Sequence, residues 1–268
     1  MRIAIIGGGV MGEAIASAII RGGVSSPEEI KIGEINERRI IELEERYGVK
    51  CFPDNEEVIR NTDFLILSVK PQSLPEIFKD IGGKIDDGQV VMSIIAGASL
   101  RKLKGGLQHD KVIRVMPNTP AQIGEGVSVW TASDEVSYEE RERAREILST
   151  FGYEIYVPDE VYIDMATAVS GSGPAYIFYF VEAMIEGAVN IGLPRDKARE
   201  MVIKTILGSI KMLEETGKHP AELRDLVTSP AGTTSEALLK LEEENFKASL
   251  IKAIKSAYER AKELGVSE

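Results

Sequence analysis

Short apolar runs rich in β-branched residues alternate with amphipathic stretches along the first 157 residues. This alternation predicts strands at 2–6, 30–34, 64–69, 90–95, 112–116, 126–131 and 153–157, and helices at 11–21, 37–47, 74–81 and 139–151. Residues 64–69 read Phe-Leu-Ile-Leu-Ser-Val, a near-continuous apolar run typical of a strand covered on both faces. The pattern therefore predicts an α/β fold built on a parallel sheet.

The pattern changes after Pro158, where strand signals stop and long helical periods begin. Helices are predicted at 160–191, 195–216, 235–244 and 246–264, separated by segments that contain glycine or proline. We therefore predict two domains: an α/β domain over residues 1–157 and an all-helical domain over residues 158–268.

One predicted helix, around residues 176–189, is apolar on nearly every face. Such a helix is normally buried on all sides. A helical half of about 110 residues can hardly surround it alone. We therefore expect a partner subunit, giving a homodimer or a larger ring of dimers.

Composition narrows the classes of partner and site. The 268 residues carry 32 Lys and Arg against 43 Asp and Glu, a net charge of −11, which argues against a broad nucleic-acid or anionic-membrane surface. Cys51 is the single cysteine, and the two histidines are His109, in an expected surface loop, and His219, at an expected helix C-terminus. No zinc-type spacing exists, so we expect no metal. We expect a cytoplasmic protein, since glycines interrupt the apolar N-terminus and polar residues interrupt 165–181.

A glycine-rich turn follows the first predicted strand and opens the first predicted helix. This G-x-G-x-x-G arrangement is typical of dinucleotide binding, because Gly7 permits a tight turn, Gly9 admits a diphosphate and Gly12 lets helix and strand pack closely. Free N–H groups and the helix dipole then hold the phosphate charge. The alternative is a tight turn in a nucleotide-free fold. We assign the cofactor to Ile6, Gly7, Gly8, Gly9, Val10, Met11 and Gly12.

Glu34 ends the second predicted strand, 22 positions after Gly12. An acidic residue there accepts hydrogen bonds from the adenosine ribose, which favours NAD over NADP. Arg38 and Arg39 follow, and either one is a candidate for binding a 2′-phosphate or for lying in a solvated first helical turn. The sequence therefore leaves the choice between NADH and NADPH open.

Four further segments place glycine, proline and polar residues at strand or helix ends. Together with the glycine loop they resemble the Δ1-pyrroline-5-carboxylate reductase family, over the whole chain and at matching spacing. The resemblance implies an enzyme that reduces a cyclic imine acid to L-proline with NAD(P)H, the last step of proline biosynthesis. It also implies a Rossmann domain and a helical dimerisation domain. The segments are Ser68-Val69-Lys70-Pro71-Gln72, Met116-Pro117-Asn118-Thr119-Pro120-Ala121, Ser170-Gly171-Ser172-Gly173-Pro174-Ala175-Tyr176 and Ser229-Pro230-Ala231-Gly232-Thr233-Thr234.

The first two segments add cofactor candidates at strand ends. Lys70 is placed to offset phosphate charge, unless it is a simple strand cap. Prolines beside Asn118 fix the backbone so that its amide can reach the nicotinamide carboxamide, unless Asn118 forms an ordinary Asx turn. The resemblance adds Asn55 and the strand end at Ala96 as cofactor-lining positions. The predicted set is Asn55, Ser68, Val69, Lys70, Pro71, Ala96 and Asn118, besides Glu34.

The last segment precedes a predicted helix, whose free N–H groups and Gly232 turn suit a small carboxylate. The resemblance assigns the substrate carboxylate to Gly232, Thr233 and Thr234. It makes Thr234 the candidate catalytic residue, a donor or proton relay at the ring nitrogen; the alternative is plain N-capping. Glu160 matches a family position near the bound amino acid, where a carboxylate could receive the secondary amine, or it is a charge in a first helical turn.

Ser170–Tyr176 falls inside a helical pattern, which its glycines and proline are expected to loosen. In β-hydroxyacid dehydrogenases a similar segment places a lysine that protonates an alkoxide, whereas Ile177 stands here. A protonated imine already carries the charge that hydride addition discharges, so an imine is favoured over a ketone. The alternatives are a broader imine or keto-acid reductase of the same fold, and a protein that senses NAD(P)H without turnover.

Overall fold

The computed structural model describes residues 1–266. They form two compact units: residues 1–174 together with the C-terminal residues from 257 on, and residues 175–256. The first unit holds one eight-stranded sheet. Its strands are β1 (Ile3–Ile6), β2 (Ile30–Gly33), β3 (Lys50–Phe52), β4 (Phe64–Leu67), β5 (Val90–Ser93), β6 (Val112–Met116), β7 (Gly126–Ala132) and β8 (Gly152–Tyr156).

The sheet has the order β3-β2-β1-β4-β5-β6-β7-β8. All neighbouring strands are parallel except β6 and β7, which are antiparallel. The predicted parallel sheet is therefore confirmed, with this one antiparallel pair as the exception. Residues 117–125 are too few for the helical crossover that a parallel pair needs. Strand β3 was missed because three residues are too short for a periodic signal.

Helices cover both faces of this sheet. Ile3 and Ile5 of β1 point into one buried cluster, whereas Ala4 and Ile6 point into the other. Alternation along one strand between two apolar clusters explains why the sequence reads as continuously apolar there. The helices are α1 (Val10–Arg21), α2 (Glu37–Tyr47), α3 (Asn55–Ile59), α4 (Leu74–Ile81), α5 (Leu100–Leu107), α6 (Tyr138–Ser149) and α7 (Val161–Ala166).

The predicted helix over 160–191 is not continuous. After α7 the backbone is π-helical over Thr167–Gly171, with Ser172 N donating to Thr167 O at 2.8 Å, and α8 then covers Gly173–Asn190. A Cβ on Gly171 would lie 2.7 Å from the Met116 methyl, so a larger residue there would require the Met116 side chain at the end of β6 to move. The expectation that this segment loosens the helix is confirmed.

The remaining helices are α9 (Arg195–Thr216), α10 (Pro220–Leu226), α11 (Thr233–Glu243) and α12 (Phe246–Val266). In α8 no residue is buried within the single chain, and Tyr179 is 76% exposed. Among the described residues, no helix is long and apolar enough to cross a membrane. The predicted domain boundary after residue 157 falls just past β8, whereas compact packing divides the chain at 174; the boundary stays a prediction.

Both histidines lie in places that the sequence did not predict. His109 is 7% exposed, with Nε2 2.9 Å from Gln89 O, so it belongs to the interior rather than to a surface loop. His219 is the N-cap of α10, where its Nδ1 accepts from Ala221 N, and not a helix C-terminus. The short helix α10 was not predicted, so His219 was assigned to the end of one helix instead of to the start of the next.

Candidate functional site

The carboxyl edge of the sheet carries the candidate cofactor site. The chain leaves β1 toward β2 and β3 on one side and reaches β4 and β5 on the other, so the strand order reverses between β1 and β4. Ligands of open α/β sheets bind at such a reversal. The loops meet there: Gly7 N donates to Gly33 O at 2.9 Å, and Ser68 N donates to Ile6 O at 2.8 Å.

Three glycines of the loop have different structural roles. Gly7 has φ +104°, and a Cβ there would lie 2.6 Å from Ser68 O. A Cβ on Gly12 would overlap the carbonyl oxygen of Gly7, so this glycine permits the close contact of α1 with the loop. Gly9 faces open space, with no atom within 4 Å of a Cβ, and it is an N-cap without a side-chain hydrogen bond. Free N–H groups of α1 are therefore accessible beside Gly9.

A polar atom without a partner lies in the same place. The Ser68 hydroxyl oxygen is buried and makes no hydrogen bond within residues 1–266, and it lies 3.4 Å from the Cβ position of Gly12. Buried hydroxyls are nearly always hydrogen-bonded, so an unpaired one beside a phosphate-type loop suits a ligand that bears hydrogen-bonding groups. The residues present therefore fit a dinucleotide.

Charged side chains surround the loop on the β2 side. Glu34 Oε1 accepts from the backbone N–H groups of Ile35 and Asn36, each at 2.9 Å. Arg39 donates from Nε to Gly8 O at 2.9 Å and pairs with Glu13. The two arginines that the sequence left open thus differ, because Arg39 is engaged whereas Arg38 is exposed and its side chain makes no hydrogen bond or ion pair within residues 1–266.

Glu13 lies in the first turn of α1, where an unpaired carboxylate would repel a diphosphate. Burial alone would raise its pKa, but hydrogen bonds from Arg39, Tyr47 and Arg46 outweigh burial, and the pKa of Glu13 lies below its usual range. The charge is therefore neutralised by α2, and the first turn of α1 stays suitable for an anion.

We expect Glu13→Gln to lower the free energy of unfolding at pH 7 by about 1–3 kcal/mol, through the loss of charge-assisted hydrogen bonds. A carboxyl whose folded pKa is lowered stabilises the fold above its unfolded pKa and loses that contribution as pH falls through the folded pKa. The gap between variant and wild type should therefore close below about pH 4. Urea unfolding at pH 7 and below about pH 4, at one protein concentration, measures this difference in the free energy of unfolding. Glu45→Gln, an exposed acid on α2, is the control, and a pH-independent gap would contradict the expectation.

The other predicted cofactor residues follow further strand ends. Asn55 begins α3 and donates to Asp80 Oδ2 at 3.0 Å. Lys70 is exposed beyond β4, and Ala96 follows β5. Asn118 follows β6, where its Oδ1 accepts from Val127 N at 2.8 Å and its Nδ2 donates to Ser170 O at 3.1 Å. The amide of Asn118 thus joins the β6–β7 connection to the π-helical turn, and its contact with nicotinamide stays a prediction.

The Ser229–Thr234 loop in the second unit has the features of an anion site. Gly232 is the N-cap of α11, and Ser235 Oγ accepts from Gly232 N and donates to Ser229 O. Ser235 therefore shapes the turn, and neither Thr233 nor Thr234 caps the helix; within residues 1–266 their hydroxyls make no hydrogen bond. Plain N-capping by these threonines is thus not what the structure has.

The same loop holds a strained residue. Ala231 has φ +56°, a left-handed conformation that costs a non-glycine residue about 1–2 kcal/mol. Such strain is concentrated at functional sites, where the backbone must present its N–H groups in a particular direction. Strain, free hydroxyls and an open helix N-terminus therefore occur together at the residues that the sequence assigned to the substrate carboxylate.

Glu160 has structural partners. Its Oε1 accepts from Leu100 N and from Arg114 Nη1, each at 2.7 Å, and Arg114 Nη2 also pairs with Asp164 at 2.7 Å. Arg114 is 4% exposed, and sequence reasoning missed it although a lone arginine in an apolar strand was the available signal. A contact of Glu160 with substrate stays a prediction, because this carboxylate already joins α5, β6 and the start of α7.

Comparisons with family models divide the chain in two. Residues 2–97 match the model described as NADP oxidoreductase, coenzyme F420-dependent, and residues 160–264 match pyrroline-5-carboxylate reductase dimerisation. The first match covers the glycine loop and the end of β4, and the second covers α8 to α11. The described part of the chain contains no group of three or more His, Cys, Asp or Glu side chains placed to hold a metal ion.

Whole-chain relatives agree with these matches. A pyrroline-5-carboxylate reductase of Synechocystis is 40% identical over 99% of this chain and 98% of its own length, and one of Methanosarcina acetivorans is 39% identical over 98% of each. A Plasmodium falciparum pyrroline carboxylate reductase solved with NADP bound has a TM-score of 0.91 at 28% identity, covering 99% of this chain and 98% of its own. A Coxiella burnetii pyrroline-5-carboxylate reductase has a TM-score of 0.87 at 32% identity, covering 99% of both chains.

Proposed function

The chain belongs to the pyrroline-5-carboxylate reductase family, and we propose that its glycine loop and its Ser229–Thr234 loop serve one reaction. It is an NAD(P)H-dependent oxidoreductase that reduces 1-pyrroline-5-carboxylate to L-proline, the last step of proline biosynthesis. What we propose is which residues form the site and what each of them does. The observation that supports them best is the open N-terminus of α11, with two threonine hydroxyls that do not cap it.

Each loop binds one anionic partner of the reaction. N–H groups at the start of α1 and the Ser68 hydroxyl hold the cofactor diphosphate, and Lys70 adds positive charge at the end of β4. N–H groups of Thr233 and Thr234 hold the substrate carboxylate. When bound, the cofactor supplies the hydride that the imine carbon accepts. Catalysis then comes mainly from orientation of the two reactants and from donors aimed in advance.

Thr234 is the proposed hydrogen-bond donor, or proton relay, at the ring nitrogen. Its hydroxyl is half-buried and does not cap α11, so it is available to a ligand. Ile177 stands where a ketone reductase of related pattern has its lysine, so this chain supplies no such acid for an alkoxide. A protonated imine needs none, because hydride addition discharges the positive charge that the nitrogen already carries.

The decisive assay is oxidation of NADH and of NADPH with 1-pyrroline-5-carboxylate, run beside an open-chain 2-keto acid. We expect turnover with the cyclic imine and little with the keto acid. Comparable rates with both would favour the broader imine or keto-acid reductase. Quenching of cofactor fluorescence without oxidation by any cyclic imine would instead favour a sensor protein.

A homo-oligomer follows from the match to the dimerisation family, and a homodimer, alone or in a ring of dimers, is the proposed form. An open apolar groove of about 780 Å³ lies between α8 and α12, where Tyr179, Phe180 and Phe246 line it. Exposed aromatic surface of this extent is typical of an interface. We assign this face to a second copy of the chain.

Tyr179→Glu is expected to convert the oligomer to monomers at micromolar concentration, because a carboxylate would be buried without a partner in the interface. Tyr179 is 76% exposed in the single chain, so the fold of the subunit should survive. Light scattering coupled to size exclusion measures the mass. Tyr138→Glu makes the same change at a tyrosine that is 73% exposed in the first unit, and it should leave the mass unchanged. An unchanged mass for Tyr179→Glu would remove this face from the interface.

The proposed location is the cytoplasm. Cys51 is the single cysteine and is free, so the fold needs no oxidising compartment. Burial raises the pKa of the Cys51 thiol to about 11, which keeps it protonated and unreactive at neutral pH.

A further inference from the structure

We propose that this chain uses NADH in preference to NADPH, because Glu34 stands at the ribose position and the guanidinium of Arg39 is already engaged by its own partners. The preference rests on the proposed function, since it concerns the cofactor that the glycine loop binds. It answers the question that Glu34, Arg38 and Arg39 leave open in the sequence.

Glu34 is fixed in place by the backbone. Its Oε1 accepts from the N–H groups of Ile35 and Asn36, and its Oε2 lies 3.1 Å from the Cβ position of Gly8 in the glycine loop. One oxygen therefore anchors the carboxylate while the other faces the loop. A carboxylate in that position accepts hydrogen bonds from a ribose 2′-hydroxyl. It repels a 2′-phosphate, which presents negative oxygens at the same place.

Arg39 is the nearer of the two arginines to the loop, yet it is not available. Its Nε donates to Gly8 O, and its guanidinium pairs with Glu13 and, at 3.1 Å, with Glu42. The side chain is 23% exposed. To reach a 2′-phosphate, Arg39 would have to leave Glu13, whose carboxylate would then stand unbalanced in the first turn of α1.

Arg38 remains as a cation for a 2′-phosphate. It is exposed in the first turn of α2, and its side chain makes no hydrogen bond or ion pair in the part of the chain that the structure describes. An exposed, mobile arginine makes weak ion pairs because water screens the charge and ordering the long side chain costs entropy. Arg38 therefore offsets the repulsion by Glu34 only in part.

The test measures binding, independently of turnover. Dissociation constants of NADH and NADPH are determined by calorimetry at 0.15 M salt for the full-length wild type, Glu34→Gln and Glu37→Gln. We expect wild type to bind NADH at least tenfold more tightly. Glu34→Gln should bring the ratio to within about threefold, chiefly by tightening NADPH. Glu37→Gln removes an exposed charge three residues away and should leave the wild-type ratio within twofold.

The possible outcomes distinguish a failure of the NADH preference from a failure of the proposed reductase function. If wild type bound NADPH as tightly as NADH or more tightly, the proposed preference for NADH would be wrong. The proposed reductase function would still stand if the enzyme reduced 1-pyrroline-5-carboxylate with NADPH. An unchanged ratio in Glu34→Gln would also overturn the role of Glu34. Failure to bind either dinucleotide would overturn both. The wild-type ratio needs no variant, and thermal unfolding of each variant verifies that it is folded.

Discussion

Gly9→Ala is expected to weaken NAD(P)H binding at least tenfold, about 1.4 kcal/mol or more, while the fold remains intact. No atom lies within 4 Å of a Cβ at this position, so the methyl group meets nothing in the protein. Its backbone, at φ −70° and ψ −169°, is one that alanine adopts freely. The methyl instead occupies the open space that the diphosphate must enter to reach the N–H groups of α1. Fluorescence titration with NADH and with NADPH measures the loss.

The matched control for this prediction is Gly12→Ala in the same loop. There the methyl would overlap the carbonyl oxygen of Gly7, so α1 must shift, and we expect a loss of about 1–3 kcal/mol in the free energy of unfolding. Gly9→Ala should change that free energy by less than about 1 kcal/mol. If Gly9→Ala bound NAD(P)H as wild type does, the diphosphate would not lie at this helix.

Thr234→Val is expected to raise KM and to lower kcat/KM for 1-pyrroline-5-carboxylate by about tenfold to a hundredfold, with NAD(P)H affinity nearly unchanged. Valine keeps the shape of threonine but removes the hydroxyl, and one hydrogen bond to a charged group contributes about 1.5–3 kcal/mol. Steady-state kinetics with varied imine, together with a cofactor titration, separate substrate loss from cofactor loss.

Thr228→Val serves as the control, since it makes the same change at the residue directly before the loop. Its hydroxyl donates to Arg224 O within its own helical turn and is not offered to a ligand. We expect kinetics within twofold of wild type. Unaltered kinetics in Thr234→Val would remove this residue from the site, and an equal loss of cofactor affinity would indicate a disturbed fold rather than a lost substrate contact.

Local signals in the sequence were enough to predict most residues of the proposed cofactor site. The glycine loop was recognisable because Gly7 and Gly12 meet steric needs that no other residue meets, whereas Gly9 leaves open space beside the start of α1. The sequence also predicted the location of Ser68, since residues that follow parallel strands meet at one edge of the sheet. The sequence could not predict that the Ser68 hydroxyl is unpaired, because the partners of a polar atom depend on how neighbouring segments pack.

The contacts that some side chains make with distant segments did not follow from the sequence. Arg114 lies under Glu160 and Asp164, which are 46 and 50 positions away. Asn118 joins Val127 and Ser170, whereas the sequence suggested either nicotinamide or a local turn. In each case the partner is chosen by strand order and helix placement, which a local pattern does not contain.

The sequence by itself determined the strand–helix alternation, the covered sheet and the glycine loop, because strand period, apolar runs and glycine sterics act within a few residues. Tertiary structure alone decided that Arg39 pairs with Glu13 and Gly8 while the side chain of Arg38 is exposed. The two arginines are neighbours of the same type, and only the approach of α1 to α2 distinguishes them. It likewise decided that β7 turns antiparallel and that His109 is buried, since both depend on which segments pack side by side.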